Sequence, residues 1–237
     1  MNKISEEYSS VREALTVYGS ISGNYSFRKQ RTIWFESTLE RDFLLKQDYD
    51  PLVIDVVAQP IRIPYVTRFG NESTYTPDFL VQYVGASDSP DQVSCVPLLV
   101  EIKPRKKIIQ NWSQLKPKFV AAKKFAAERK WKFKIIDESR LYDQYWKNLL
   151  VLKKFKRSVV DENTKNILLT ILKAVGVTTF NELLLSSSFD KQNRKMIEVN
   201  IWILIAKKVL ACDLNNPLSS DTLIWINQDF SIGEIND

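Results

Sequence analysis

Two short apolar runs in this sequence each carry an acidic residue at one end. In STYTPDFLV, Asp78 comes directly before an apolar run, and in VPLLVEIKP, Glu101 ends another run, two residues before Lys103. Alternate side chains of a strand point to the same face, so Glu101 and Lys103 share a face and Ile102 takes the other. If the two strands are neighbours, the carboxylates of Asp78 and Glu101 can converge on one metal ion.

Two carboxylates and a lysine at this spacing are typical of metal-assisted cleavage of a phosphodiester. Mg²⁺ prefers hard oxygen ligands and completes its shell with water and phosphate oxygens, and we expect Mn²⁺ to substitute for it. A metal that binds both water and phosphate generates the nucleophile and stabilises the leaving oxygen. Lys103 beside it can orient or deprotonate a water, or neutralise charge that builds on the phosphate. Taken singly, a Pro-Asp pair is usually a turn and a strand-ending Glu-x-Lys is usually an edge, so it is their combination that indicates a site.

The sequence contains no histidine, which narrows the chemistry further. Ser-His and Cys-His catalysis are excluded, and so is histidine as a metal ligand or general base. The two cysteines, Cys95 and Cys212, lie far apart in apolar surroundings, which favours buried thiols over a disulfide or a zinc site. Any reaction must therefore depend on carboxylates, lysines and a hard metal ion.

The positive charge is concentrated in the first part of the chain. The net charge is +6, although residues 156–237 carry a slight negative excess. Residues 103–134 hold twelve Lys or Arg and one acid, Glu128. A stretch this one-sided indicates a polyanionic partner, since a solvated helix face normally carries both signs. From this stretch we predict the following residues as DNA contacts: Arg105, Lys106, Lys107, Lys116 and Lys118.

The elements around these residues predict an α/β domain with a mixed sheet flanked by helices. STLERDFLLKQ is typical of a helix that Ser37 or Thr38 caps. A Gly-Asn turn signal is expected to join a strand at 61–66 to a strand at 76–84 as a hairpin, and GASDSPDQ is a predicted loop. VPLLVEIKP is nearly continuous in apolar residues, as in a central strand buried on both faces. A helix follows, in which Pro117 is expected no later than the first turn, and WKFKIID is predicted as another strand.

The last third of the sequence indicates a separate small domain. Three helical patterns precede NNPLSSDTLIWINQ, which has a turn signal and then an alternating strand. Three helices and an extended wing predict a winged-helix-like domain at 158–237, after a first domain at 1–157. The N-terminus has no signal-peptide core, and no apolar run approaches about 20 residues. We therefore expect a bacterial cytoplasmic protein with no membrane partner, associated with the nucleoid when active.

In order along the chain, several segments resemble the TnsA family, the endonuclease subunits of heteromeric cut-and-paste transposases. The short motif is that of the PD-(D/E)xK nucleases, filled here by Pro77-Asp78 and Glu101-Ile102-Lys103. More specific is the wider run, which covers about residues 20–157 and comprises GNYSFRKQRTIWFESTLERDFLLKQDYDPLVIDVVAQPIRIPY, YTPDFLV, LLVEIKP, KFVAAKKFAAERKWKFKIIDESRL and NLLVLKKFKR. The resemblance implies a restriction-endonuclease-like fold for the first domain.

The family's activity supplies expectations for this chain. TnsA-like proteins nick DNA at the 5′ ends of the transposon, while a separate DDE transposase, TnsB, cuts and joins the 3′ ends. An AAA+ regulator, TnsC, contacts the TnsA C-terminal domain. The resemblance therefore implies an Mg²⁺-dependent endonuclease that acts on double-stranded transposon ends together with TnsB and TnsC, and the family's lysine corresponds to Lys103.

The resemblance also implies roles for individual acids. The family's metal-binding acids correspond to Asp78 and to a glutamate on a helix. That glutamate is Glu40 or Glu36, and Glu40 is favoured because it lies inside the predicted helix rather than before it. The family does not always have an acid at the position of Glu101, so this residue is assigned as a ligand on its chemistry. Gln59 either lies near the site or satisfies backbone groups at a strand start.

Two other functions stay open from the sequence. One is a stand-alone restriction or repair nuclease on the same fold. The slightly negative C-terminal domain argues against it, because such a domain suits a protein partner better than a second grip on DNA. The other is a DNA-binding scaffold whose nuclease core is inactive, and the intact Asp78, Glu101 and Lys103 argue against that.

Overall fold

A computed structural model of the chain describes residues 4–11, 21–28, 30–84, 96–188 and 191–228. The chain divides into two compact units, Met1–Leu141 and Tyr142–Asp237. The first unit contains α1 (Ile4–Glu7), β1 (Gly23–Phe27), β2 (Arg31–Phe35), α2 (Thr38–Tyr49), β3 (Val53–Ala58), β4 (Ile63–Val66), β5 (Glu72–Tyr75), β6 (Phe79–Tyr83), β7 (Leu98–Ile102), α3 (Arg105–Gln110), α4 (Trp112–Glu128), β8 (Lys132–Ile136) and α5 (Glu138–Leu141). The second contains α6 (Gln144–Lys153), α7 (Glu162–Val175), β9 (Val177–Thr179), α8 (Phe180–Ser187), α9 (Lys191–Ala206), β10 (Leu210–Cys212) and β11 (Leu223–Ile226).

A four-stranded mixed sheet forms the centre of the first unit. Its order is β3-β6-β7-β8, in which β6 is antiparallel to both of its neighbours and β7 is parallel to β8. Every residue of β7 is buried, as its continuous apolar sequence predicted for a central strand. Its side chains alternate between the two faces of the sheet, so Val100 and Ile102 join one hydrophobic cluster and Leu99 joins the other.

One helix packs against each face of this sheet. α2 places Leu39, Phe43 and Leu44 in the same cluster as Val100. α4 contributes residues such as Phe119 to the cluster on the opposite face. Each helix brings its apolar stripe to the sheet because apolar residues recur along it every three or four positions. The result is the restriction-endonuclease-like α/β architecture that the sequence predicted.

The hairpin after β3 differs from the prediction. β4 pairs with β5, whereas β6 belongs to the main sheet, so the expected hairpin between 61–66 and 76–84 is wrong. The turn is tight, because the N–H of Thr67 donates to the carbonyl oxygen of Asn71 at 2.8 Å. The chain therefore re-enters an extended conformation at once, and Pro77, which has no N–H to donate, separates β5 from β6.

α4 also begins earlier than predicted. Its first residue is Trp112 and Pro117 lies inside the helix, so the expectation that this proline would fall within the first turn is wrong. The helix is already formed before the proline, since the N–H of Leu115 donates to the carbonyl oxygen of Asn111 at 3.0 Å. Burial of Leu115 and Phe119 against the sheet offsets the hydrogen bond that proline cannot donate.

The second unit combines helices with a small antiparallel sheet of order β10-β11-β9. Leu168, Leu183 and Ile201 are fully buried in its interior. The ring of Phe180 stacks on that of Trp202 with centroids 4.6 Å apart. These are the helices and the extended segment that the sequence predicted, and their winged-helix-like identity stays a prediction.

The two units divide earlier along the chain than residue 157. α6 precedes that position, yet it packs against α9, and its Leu149 and Leu152 are buried. The side-chain amide of Asn148 donates to the carbonyl oxygens of Leu214 and Asn216 at 2.9 and 2.7 Å. The apolar face of α6 is thus buried against other elements of the second unit, and composition along the chain does not reveal this packing.

Three further predictions concern the loop at 85–92, the two cysteines and the absence of a membrane-spanning helix. The predicted loop at 85–92 and Cys95 lie outside the described residues. Cys212 is a free, half-buried thiol. Within the described ranges, none of the helices has the length and apolar character needed to cross a membrane.

Candidate active site

Asp78 and Glu101 lie at the same end of the main sheet. Phe79 pairs with Val100 across β6 and β7, so Asp78, one step before, stands opposite Glu101. Alternation directs both acids to the face of the sheet that α4 covers. The Oδ2 of Asp78 accepts a 2.6 Å hydrogen bond from the N–H of Ile102. The two strands are therefore neighbours, as convergence of the two carboxylates requires.

Both carboxylate oxygens of Glu101 have partners, and the residue is only 3% exposed. Oε1 forms an ion pair with Nζ of Lys103 at 2.7 Å. Oε2 accepts a 2.6 Å hydrogen bond from the hydroxyl of Tyr75. Burial, and then the charge of Glu101, raise the pKa of Tyr75, so this hydroxyl keeps its proton and donates it. The sequence analysis missed Tyr75, because nothing in ESTY distinguishes it from an ordinary core tyrosine.

Lys103 is the cation of this cluster. Burial works to lower the pKa of Lys103, but the charges of Glu101, Asp78 and Glu40 outweigh it and the pKa is raised. The side chain keeps 27% of its surface exposed, so it faces solvent as well as the acids. An ammonium in this position can neutralise charge on a phosphate, and while it holds its proton it cannot act as a base.

Glu40 is held in the first turn of α2. Ser37 is the N-cap, and its Oγ accepts a 3.2 Å hydrogen bond from the N–H of Glu40. In return, the carboxylate of Glu40 accepts 2.8 Å hydrogen bonds from the N–H of Glu36 and from the hydroxyl of Ser37. This arrangement differs from a capping box, because the carboxylate of Glu40 accepts from the N–H of Glu36, one residue before the N-cap, and not from the N–H of Ser37. Burial raises the pKa of Glu40, as do the charges of Glu36 and Glu101, while the two hydrogen bonds oppose the rise.

Gln59 connects the other candidate glutamate to the sheet. Its Nε2 donates to Oε1 of Glu36 at 3.0 Å, and its backbone N–H donates to the carbonyl oxygen of Asp78 at 2.7 Å. Its φ of 47° lies in the left-handed region that glutamine rarely adopts. Gln59 therefore lies beside the acids, and its side-chain amide binds a carboxylate rather than the backbone.

Three carboxylates lie close enough to affect one another. Asp78 is half-buried, and its Oδ2 accepts from the N–H of Ile102. Burial, and then the charges of Glu101 and Glu40, raise the pKa of Asp78 well above its usual range, against the opposing effects of the Ile102 N–H and Lys103. A cation relieves such a concentration of like charge. Asp78 and Glu101 offer the hard oxygens that Mg²⁺ prefers, and one or two carboxylates with water suffice to bind it.

The three acids do not form a closed metal cage as the side chains stand. Among the residues that the structure describes, no group of three or more acidic or cysteine side chains is placed to hold a metal ion. The hydrogen bonds explain this, because Glu40 is engaged in the helix cap and Glu101 in its ion pair with Lys103. Asp78 and Glu101 stand opposite each other on neighbouring strands, whereas Glu40 lies on α2 and its charge acts on Asp78.

The predicted DNA contacts lie on the two helices that follow Lys103. α3 carries three exposed basic residues: Arg105, Lys106 and Lys107. The guanidinium of Arg105 also lies 3.4 Å from Oδ2 of Asp137. On α4, Lys116 is exposed, and Nζ of Lys118 lies 5.9 Å from the ring centroid of Tyr65. Their contact with DNA stays a prediction.

The segment that builds most of this site matches a known family. Residues 50–138 match the family described as TnsA-like endonuclease N terminal. Over these residues the chain is similar to TnsA-like endonuclease domains. The matched TnsA-like segment includes the main sheet together with Asp78, Glu101 and Lys103. No curated protein matches the chain.

The TnsA-like match begins after α2, so it does not distinguish Glu36 from Glu40. In the structure, however, the side chains of Glu36 and Glu40 have different neighbours. Glu40 is one of the charges that raise the pKa of Asp78, whereas the carboxylate of Glu36 accepts from the amide of Gln59. Glu40 is therefore the helical glutamate that is electrostatically linked to the acids of the sheet.

Proposed function

We propose that this chain is a metal-dependent DNA endonuclease that nicks the 5′ ends of a transposon during cut-and-paste transposition, together with a DDE transposase. One observation carries the proposal. Asp78, Glu101 and Lys103 meet at one end of the sheet, inside a segment that matches a TnsA-like endonuclease domain. An acid pair and a lysine suit phosphodiester hydrolysis and need no histidine.

Mg²⁺ is the proposed cofactor, with Mn²⁺ as a substitute. Asp78 and Glu101 would hold it, and Glu40 would add negative charge nearby. When bound, the ion supplies Lewis-acid polarisation of the phosphate and a water of lowered pKa. The donor chemistry supports this choice, because all three side chains present carboxylate oxygens and the chain has no histidine.

The remaining side chains orient the acids and supply positive charge. The N–H of Ile102 holds Oδ2 of Asp78, and the hydroxyl of Tyr75 holds Oε2 of Glu101. Lys103 keeps its proton on Nζ beside Glu101. In the proposed reaction this ammonium neutralises charge on the non-bridging oxygens of the scissile phosphate, so of the roles open to Lys103 we favour charge neutralisation over proton abstraction.

Double-stranded transposon ends are the proposed substrate, and TnsB and TnsC are the proposed protein partners. The second unit is proposed to contact TnsC or TnsB, as two features of it suggest. It carries exposed apolar side chains, among them Val159, Val175 and Leu223, and residues 156–237 lack the basic excess of the first part. Exposed apolar side chains suit a protein interface.

A strand-specific nicking assay on end-containing DNA, with and without partner subunits, tests this function. Wild type is expected to nick the 5′ strands only when Mg²⁺ or Mn²⁺ is present. Asp78→Ala and Glu101→Ala are each expected to abolish nicking and to remain folded, because losing one carboxylate also removes like-charge repulsion. Glu128→Ala, at an exposed acid on α4, is the matched control and should nick normally. Near-normal nicking by either site variant contradicts the assignment.

One observation favours a second candidate, a DNA-binding subunit without nuclease activity. The ion pair of Lys103 with Glu101 gives Glu101 a counter-charge without any external cation. Titration with Mn²⁺ separates the two candidates. A saturable site in the wild type that is lost in Asp78→Ala supports the nuclease, whereas no saturable binding supports the scaffold. Nicking without any partner subunit would instead support a stand-alone nuclease.

A further inference from the structure

We propose that the tip of the β4–β5 hairpin, residues 67–71, and the adjoining face of α4 form a second DNA-contacting element. In this element the ring of Phe69 packs against the duplex, while Arg68, Lys116 and Lys124 bind phosphates. The inference rests on the proposed function in taking DNA as the ligand. It adds an aromatic contact that lies outside the basic stretch 103–134.

The hairpin tip is built as a fixed projection. The guanidinium of Arg68 lies over the ring of Phe69, with 4.4 Å between Cζ and the ring centroid. Its Nη1 donates to Oγ of Ser113, at the start of α4, at 3.1 Å. Phe69 is nevertheless 74% exposed. An aromatic ring held outside the core by a cation is a preorganised contact surface, because little side-chain freedom remains to be lost on binding.

The face of α4 next to the hairpin continues this surface. Ser113, Lys116, Val120 and Lys124 recur every three or four residues, so they share one side of the helix. Val120 is exposed, as is Val66 on β4, and both line an open groove between α4 and the hairpin together with Lys116 and Lys124. The groove thus has apolar walls and two lysines, which suits a sugar-phosphate backbone better than an uncharged ligand.

Charge favours nucleic acid over an acidic protein as the occupant. No acid occurs between Glu101 and Glu128, and Glu72 is the one acidic residue within 63–75. An exposed aromatic ring beside phosphate-binding cations is the combination with which proteins stack on bases or wedge into a groove of DNA. A protein partner would not require this dense positive charge around the ring.

The second strand of the hairpin ends at the candidate active site. The distance from that end to the tip therefore determines which part of the DNA the tip contacts. Tyr75, the last residue of β5, donates to Glu101, and Phe69 lies six residues earlier. At about 3.3 Å per strand residue, the tip lies on the order of 10–20 Å from Tyr75. That span corresponds to about three to six base pairs at roughly 3.4 Å per step. The tip is therefore expected to touch the same duplex that carries the scissile phosphate.

Binding of the full-length protein to a fluorescently labelled duplex of mixed sequence, measured by anisotropy in EDTA over a range of salt concentrations, tests the inference. Phe69→Ala is expected to weaken binding about fivefold or more, since the change removes the ring that packs against the bases. Its salt dependence should stay unchanged, because every phosphate-binding cation is still present. Arg68→Ala, Lys116→Ala and Lys124→Ala should each lower the slope of log affinity against log salt by about 0.9.

Two matched variants serve as controls. Leu52→Ala removes another exposed apolar side chain of the first unit, and Lys173→Ala removes an exposed lysine of the second. Both are expected to bind DNA like the wild type. Circular dichroism verifies that every variant is folded, which we expect because Phe69 and Arg68 lie at an exposed turn.

The outcomes separate this inference from the proposed nuclease. EDTA prevents metal-dependent nicking, so the binding result does not depend on catalysis. Wild-type affinity for Phe69→Ala overturns the inference and leaves the tip to a protein partner, whatever the nicking assay shows. A binding defect in Phe69→Ala together with no nicking by the wild type supports the DNA contact and contradicts only the cleavage proposal.

Discussion

Nζ of Lys103 lies 2.7 Å from Oε1 of Glu101. The same cluster of side chains is proposed to bind a metal ion. At the scale of single residues this pair explains why the acids can lie together in the structure. Burial, and then the charges of Glu101 and Glu40, raise the pKa of Asp78, and the ammonium of Lys103 opposes part of that rise. Lys103 is therefore both a structural counter-charge for the acids and the proposed cation for the phosphate.

Tyr75→Phe tests whether Glu101 needs its hydrogen-bonded support. The change removes only the hydroxyl that donates to Oε2, and the ring keeps its contact with Phe119. We expect Mn²⁺ affinity and nicking to fall by roughly 10- to 100-fold, as is usual when the hydrogen-bond partner of a metal ligand is removed. Tyr65→Phe on the neighbouring strand is the control and should change neither. Unchanged Mn²⁺ affinity in Tyr75→Phe would show that Glu101 is oriented without this hydroxyl.

A pair of isosteric variants decides between the two candidate glutamates. Glu40→Gln is expected to raise the Mg²⁺ concentration for half-maximal nicking, because the charge of Glu40 acts on Asp78. Glu36→Gln should have a smaller effect, since its carboxylate accepts from Gln59. The measurement is a metal titration of nicking for both variants in parallel. A larger shift for Glu36→Gln would transfer the metal-binding role to that residue.

At the scale of elements, α3 and α4 place basic residues immediately after the motif lysine. α3 has no buried residue, so its three basic side chains are not needed for packing. α4 buries one face against the sheet through residues such as Phe119 and Ala122, which leaves its lysines on the other faces. Burial therefore selects which side of α4 is available for DNA.

Neutralising Arg105, Lys106 and Lys107 together tests the role of α3. DNA binding is expected to weaken without sequence preference, and the salt slope should fall by about one unit for each phosphate that the helix no longer neutralises. The contribution of Arg105 should be the smallest, because its guanidinium also lies near Asp137. Exposed lysines of the second unit provide the matched triple variant: Lys173, Lys195 and Lys207. An unchanged slope in the α3 variant would mean that this helix is only a solvated surface.

At the scale of the whole molecule, the position of α6 determines where the chain can be divided. A chain truncated after Leu141 is expected to remain monomeric and to unfold cooperatively. One truncated after residue 157 should be less soluble, because it keeps α6 but lacks α9 and so exposes Leu149 and Leu152. Size-exclusion chromatography and thermal unfolding compare the two. Equal behaviour would show that α6 does not depend on the second unit.

The same truncation tests the proposed division of labour. The chain that ends at Leu141 keeps Asp78, Glu101 and Lys103, so it is expected to bind Mn²⁺ like the full-length protein. It should nevertheless fail to join TnsB and TnsC in a pull-down with purified partners. Recruitment equal to that of the full chain would assign docking to the first unit.

Features that depend on neighbours in the chain were predictable from the sequence alone. The capping of α2 by Ser37, the central buried strand β7 and the shared face of Glu101 and Lys103 all follow from spacing within a few residues. The acid pair was predictable on one condition, that β6 and β7 are neighbours, and the sheet meets it. Local periodicity carries this information because backbone geometry repeats every two or about 3.6 residues.

Tertiary structure alone decided the features that join distant parts of the chain. Tyr75 reaches Glu101 across 26 residues, and Asn148 reaches Leu214 across 66, so neither the second partner of Glu101 nor the attachment of α6 was visible in a local pattern. The partner of β4 was mistaken because the tight turn at Thr67 and a proline redirected the chain. These outcomes depend on which surfaces meet after folding, and that is set by the packing of the whole unit rather than by any one segment.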